Sequence, residues 1–168
     1  MRPPPFRPRP GAGDGPLVVD ETTGLLWHRV EHRPLYADTD RSGTVYHAHY
    51  LRYFEIGRAT LMRESGCPYS SIEAAGYTYP VVDTRLGYFA PVSYDQAFLI
   101  HTRPAALEKV RVRFDYVLTL GDGADVCRGF TLHCALDARR RVVAVDSGTA
   151  ALVRDWHRRE AGGGGTGR

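Results

Sequence analysis

The segment "YADTDRSGTVYHAHYLRYFEIGR", residues 36–58, holds two aspartates, Asp38 and Asp40, ahead of a glycine and an aromatic run. A carboxylate can attack an acyl carbon as a nucleophile, giving an anhydride, or take a proton from water as a general base. Downstream of Asp40 lies His47, where apolar residues begin to recur at helical spacing. The first N–H groups of a helix lack intrahelical acceptors, and the dipole there favours negative charge. A helix start near His47 can therefore receive a carbonyl oxygen that is becoming an oxyanion. Neither Val45 nor Tyr46 is a capping residue type, so the amides there are left for a ligand. Gly43 tightens the turn between the two groups. An aspartate after a strand is also an ordinary turn residue, and the spacing by itself leaves both readings open.

The elements that must position these groups follow from periodicity. "LVVDETTGLLWHRVEHRPLYA" has two apolar stretches around a polar turn ending at Gly24, which predicts a hairpin, or a turn leading into a first long strand from about Leu26 to Ala37, with Pro34 placing that strand at a sheet edge or bending it. Tyr50, Phe54, Gly57, Leu61 and Met62 recur at three- and four-residue steps, which predicts an amphipathic helix over 46–64 ended by Gly66 and Pro68. A short helix is expected over 70–75, and "YPVVDTRLGYFAP" and "QAFLIHTRPAAL" read as strands. In "KVRVRFDYVLTL", Val110, Val112, Phe114, Tyr116, Leu118 and Leu120 face one way and Arg111, Arg113, Asp115 and Thr119 the other, a half-buried strand. The turn "GDGAD" leads to a partner whose shared face is read as Val126, Phe130, Leu132, Cys134 and Leu136, and a last strand is expected over 142–153. The sum is an α+β pattern, one antiparallel sheet with one principal helix on its apolar face.

A chain of 168 residues suits one domain, taken as 17–158, between a Pro/Arg-rich tail at 1–16 and a Gly-rich tail at 159–168. Neither end has the apolar content to offset the cost of ordering it. The net charge of +3 is mild and nearly all arginine, with Lys109 the only lysine, and no element carries the basic stripe that nucleic acid requires. Cys67, Cys127 and Cys134 have no metal-type spacing and cannot all pair within one chain, which predicts reduced thiols and a cytoplasmic setting. The start, "MRPPPFRPRP", has no apolar stretch of the export type, and no run approaches the length of a bilayer span, so no membrane insertion is expected.

The opening segment resembles the active-site signature of the hot dog fold acyl-CoA thioesterases of the 4-hydroxybenzoyl-CoA thioesterase family. The match lies at Asp38, Asp40, Gly43, Val45, Tyr46, Tyr50, Glu55 and Arg58; "GYFAPVSYDQAFLI" is similar to a second family segment at Tyr88, Pro91 and Asp95. The resemblance runs from about Trp27 to Trp156 in element order. It implies an antiparallel sheet wrapped around one long central helix, and hydrolysis of an acyl-CoA to free acid and CoA. It places the catalytic carboxylate on Asp40 and the oxyanion donor on the main-chain N–H of His47. It further implies no metal or redox cofactor, and a homodimer or homotetramer with active sites at the interface. An acyl group carried on a carrier protein, or a non-catalytic acyl-CoA-binding role, are the competing readings. The departures from the family are the Pro-rich start, the segment around "DETTG" and the glycine tail.

Each residue also has a plainer reading. Asp38 either raises the pKa of Asp40 as a like charge or is a structural carboxylate. Glu55 and Arg58 suit a same-face ion pair, and Glu55 is the rival catalytic carboxylate. Tyr46 and Tyr50 line an acyl pocket or belong to the core. His47 and His49 fall on different helix faces, which argues against a metal pair. Arg85, Arg111, Arg113 and Arg128 suit CoA phosphates or a solvated sheet face equally.

Overall fold

A computed structural model describes residues 3–11 and 15–163. Seven strands, β1 (Pro8–Pro10), β2 (Leu17–Asp20), β3 (Leu26–His32), β4 (Val81–Tyr88), β5 (Phe98–Leu107), β6 (Arg111–Leu120) and β7 (Asp125–Cys134), form one sheet in the order β1-β2-β3-β5-β6-β7-β4. Every pairing is antiparallel. The long helix α1 (Tyr50–Glu64) lies on the inner face, followed by α2 (Tyr69–Ala74) and, at the end of the chain, α3 (Ser147–Gly163). This is the expected hot dog arrangement.

The helix sits close because of what it buries. Tyr53, Phe54 and Leu61 are fully buried, and the Phe54 ring stacks on Tyr116 of β6 with centroids 4.2 Å apart. Each such side chain contributes about 2 kcal/mol of burial. Gly57 faces β5, where a Cβ would stand 2.3 Å from Thr102 Oγ1 and 2.7 Å from Ile100 Cγ2. Gly129 gives β7 the same close approach, beneath Phe54 and against the main-chain oxygen of Arg85 on β4.

Four expectations are corrected. The first strand ends at His32, not Ala37; Pro34 is buried, and Tyr36–Asp38 is a 3₁₀ turn. The inner face of β7 is Cys127, Gly129, Thr131 and His133, opposite Leu118, Tyr116, Phe114 and Val112. Phe130 and Leu132 lie on the outer face, where Arg113 covers the Phe130 ring at 4.2 Å.

Residues 142–153 are not a strand: after an isolated bridge at Val142, α3 begins at Ser147. Asp146 starts the helix by accepting Thr149 N–H at Oδ1 and Ala150 N–H at its main-chain oxygen, both at 3.0 Å. The buried residues Ala150, Val153 and Trp156 then recur every three positions on one face. The helix is fastened by Trp156 Nε1–H donating to Leu26 O and by Glu160 receiving Arg103.

The start of the chain is not a free tail where it is described. β1 pairs with β2, and Phe6 is buried against Trp27, ring centroids 5.3 Å apart, on the outer face of the sheet. One aromatic residue among the prolines supplies the apolar surface that the composition seemed to lack. At the other end α3 runs into the glycine segment as far as Gly163; residues 1–2, 12–14 and 164–168 lie outside the described residues.

Candidate active site

The turn that carries Asp40 is built by main-chain bonds. Asp40 N–H donates to Thr44 O and Gly43 N–H to Asp40 O, at 2.9 and 3.0 Å. Gly43 has φ +78° with open space around its Cβ position, so glycine is required there for conformation and not for room. Bridges Thr39 to Val45 and Thr44 to Ser93 hold the turn against its neighbours.

Within it, the exposed carboxylate of Asp40 accepts Ser42 N–H at 2.8 Å and the Ser42 hydroxyl, both on Oδ1. Those two bonds hold its pKa below the ordinary value. Oδ2 has no protein partner among the described residues. At neutral pH the group is an ionised carboxylate with one oxygen free, which serves attack on carbon better than strong basicity.

The helix start stands next to it. Tyr46 N–H donates to Asp38 O at 2.9 Å and the chain enters a 3₁₀ turn, His47–His49, that no side chain caps. Asp40 and His47 line one cleft of about 340 Å³ with Val45, Tyr50, Tyr88 and Phe89. The Tyr50 ring is buried between α1 and the Tyr88 ring, and burial pushes its hydroxyl up to about 12, so it stays protonated. The cleft thus joins a free carboxylate oxygen, a helix start without a side-chain cap and an aromatic wall.

Tyr46 does not join them. It is 41 % exposed, packs on the His47 and His49 rings, and lies off the cleft, so only Tyr50 of the two proposed substrate contacts is brought to the site.

Asp38 has a different fate from Asp40. It is buried, and its carboxylate accepts Leu35 N–H at 2.9 Å, the Tyr53 hydroxyl at 3.1 Å and Arg52 at 2.7 Å. Burial pushes its pKa up, but the Leu35 and Tyr53 bonds and the charge of Arg52 outweigh that and leave it lowered. It clamps the turn to the first turns of α1. Of its two proposed roles, the contacts support the structural one.

Glu55 is exposed and does not line the cleft. The expected Glu55–Arg58 pair is replaced by a bond from Arg58 Nη1 to His133 Nε2 at 2.9 Å, while His133 Nδ1–H donates to Tyr79 O. Burial, helped by the Arg58 charge and opposed by that carbonyl, takes His133 down to about 4, a neutral ring. Arg128 is committed to both oxygens of Asp125 and Arg113 to Asp115, leaving Arg85 and Arg111 as the exposed members of the arginine set.

Asp95 is a loop residue at φ +56° whose N–H donates to Pro34 O, away from the cleft. Two features escaped the sequence reading. Phe89 forms part of the cleft wall, and the Tyr88 hydroxyl donates to His47 O at 3.0 Å. The aromatic pair before Pro91 was the signal for both.

Comparison with known proteins agrees with the fold. The family model described as the thioesterase-like superfamily matches residues 34–155. YneP of Bacillus subtilis, named as a candidate acyl-CoA thioesterase, is 43 % identical over 67 residues, which are 40 % of this chain and 49 % of that one. YbgC of Escherichia coli O6:H1, named an acyl-CoA thioester hydrolase, is 28 % identical over 82 residues, 49 % of this chain and 61 % of that one. The chain thus spans about half the length of YneP. The solved structure of hypothetical protein TT1821 from Thermus thermophilus superimposes with a TM-score of 0.73 at 28 % identity, covering 77 % of this chain and 98 % of that one. With the family model extending over most of the chain and the fold shared along nearly the whole of a solved relative, the chain belongs to the thioesterase-like superfamily and has the hot dog fold.

Proposed function

We propose that the protein hydrolyses an acyl-CoA thioester to the free acid and CoA, with Asp40 as its catalytic carboxylate and the His47 N–H as oxyanion donor. The observation that carries the reading is the cleft shared by the free Asp40 oxygen and the uncapped helix start. The names of YneP and YbgC support the choice of acyl-CoA. In the reaction the carbonyl carbon gains a bond to oxygen, from Asp40 or from a water that Asp40 deprotonates. The carbonyl oxygen takes up negative charge facing the helix start, and the carbon–sulfur bond breaks to release the thiolate. A thiolate leaves readily, so one carboxylate and one oxyanion donor suffice. The lowered pKa of Asp40 weighs toward direct attack, with water opening the resulting anhydride.

The acting unit is proposed to be a homodimer formed through β4. That strand is an edge of the sheet, and Val81 and Val82 stand 50 % and 52 % exposed on it. A cytoplasmic setting, where CoA is met, is supported by the three free thiols. No helix among the described residues is long and apolar enough to cross a membrane.

The test is thiol release over a panel of aromatic and aliphatic acyl-CoAs, with Asp40→Asn beside the parent. Asn keeps the size and removes both nucleophilicity and basicity. Turnover is expected to fall by about a thousandfold or more with folding retained, and an unimpaired variant would sink the assignment.

A further inference from the structure

Tyr88 closes β4 and reaches back to the start of the central helix. Its hydroxyl donates to His47 O at 3.0 Å, and its ring meets the Tyr50 ring edge-on at 5.3 Å. Around His47 three successive peptide groups each have a bond that helps to fix them. Tyr46 N–H donates to Asp38 O at 2.9 Å, fixing the peptide before the donor. His49 N–H donates to Tyr46 O at 2.9 Å, fixing the peptide that carries the His47 N–H. The peptide after it, between His47 and Ala48, is held by Tyr88. Only this last bond comes from a side chain, and the 3₁₀ turn has no capping side chain to replace it.

An oxyanion donor works by pointing at the charge before the charge appears, so a peptide free to rock loses part of its effect. A hydroxyl bonded to the His47 carbonyl fixes the peptide on the far side of the donor residue, so the His47 backbone is restrained from both sides. We propose that Tyr88 is a positioning residue: its hydroxyl holds the His47 carbonyl so that the adjoining main-chain amides stay oriented for the developing oxyanion. The inference rests on the hydrolytic reading of the site, and it makes the last residue of the open sheet edge part of the preorganisation of the helix start.

Tyr88→Phe keeps the ring against Tyr50 and removes only the hydroxyl; the residue is 50 % exposed, so folding is retained. Two measurements test it. In steady-state hydrolysis of the best acyl-CoA, kcat is expected to fall about tenfold with KM within about twofold, the signature of an interaction that matters in the transition state. In the ligand-free protein, the backbone amide order parameters of His47 and Ala48 are expected to fall below those of the parent, with the unfolding midpoint unchanged. A tyrosine that only packs would move neither. Unchanged order parameters overturn the proposal, as does unchanged kcat in an active enzyme. If the parent releases no thiol from any acyl-CoA, the hydrolytic reading fails and the catalytic part of the proposal with it, while lowered order parameters would still show that Tyr88 holds the helix start.

Discussion

Asp38 and Asp40 have the same side chain and nearly the same place in the chain, and only their surroundings separate them. Asp40 gives one oxygen to Ser42 and keeps the other for chemistry, whereas Asp38 spends both oxygens inside the fold. The residue types were legible in the sequence; this division of labour was not, because it depends on where Arg52 and Tyr53 of the helix meet the turn. Asp38→Asn turns an amide N–H₂ toward donors and is expected to cost about 2–4 kcal/mol. Because the folded pKa of Asp38 lies below the ordinary 3.8, its contribution is present above that value and is lost only as pH falls through the lower, folded one. Urea unfolding should therefore show the same gap between parent and Asp38→Asn at neutral pH and at about pH 4. A gap that has already closed at about pH 4 would count against an ionised Asp38.

At the scale of elements, strict periodicity was readable and its interruptions were not. β6 alternates as its sequence says, and α1 buries the face its apolar spacing marks. β7 misleads because Phe130 and Leu132 are apolar yet outward, while the inner face carries Gly129, Thr131 and His133. The helix fills that space: Phe54 lies over Gly129, and Arg58 reaches His133. In α3 the run of valines ahead of Asp146 imitates a strand, though the capping aspartate and the spacing up to Trp156 were both there to read.

Gly57 tests how tightly the helix and sheet are joined. Alanine is favoured over glycine in a helix by about 1 kcal/mol, but a Cβ here meets Thr102 and Ile100. Gly57→Ala is expected to lower stability by about 2 kcal/mol by thermal or urea unfolding. A stabilised variant would show that α1 can lift off β5 without loss.

Over the whole molecule, the sheet is covered on both sides. Inside is the helix; outside, Phe6 roofs Trp27, and Arg103 lies buried between Asp115 and Glu160 of α3. His101 sits beneath the same arm, its ring 4.7 Å from Phe6, and burial takes it down to about 3. A roof made by one aromatic residue of a proline-rich segment could not be read from composition, since prolines give no periodicity to follow. Phe6→Ala should cost about 3 kcal/mol in urea unfolding, and an unchanged midpoint would mean that the arm contributes nothing to the fold.

The two borders of the sheet differ in what they offer a newcomer. On β1, Arg7 O receives Glu21 N–H and Gly11 N–H donates to Leu17 O, so these alternate residues face β2 and Pro8 and Pro10 turn their nitrogens outward. Proline has no hydrogen to give, so that border is sterile, while β4 has eight residues and no proline. Along the sheet such a chain has a valence of one: in the dimer proposed above, two copies would satisfy each other edge to edge and offer only proline-bearing margins to a further strand.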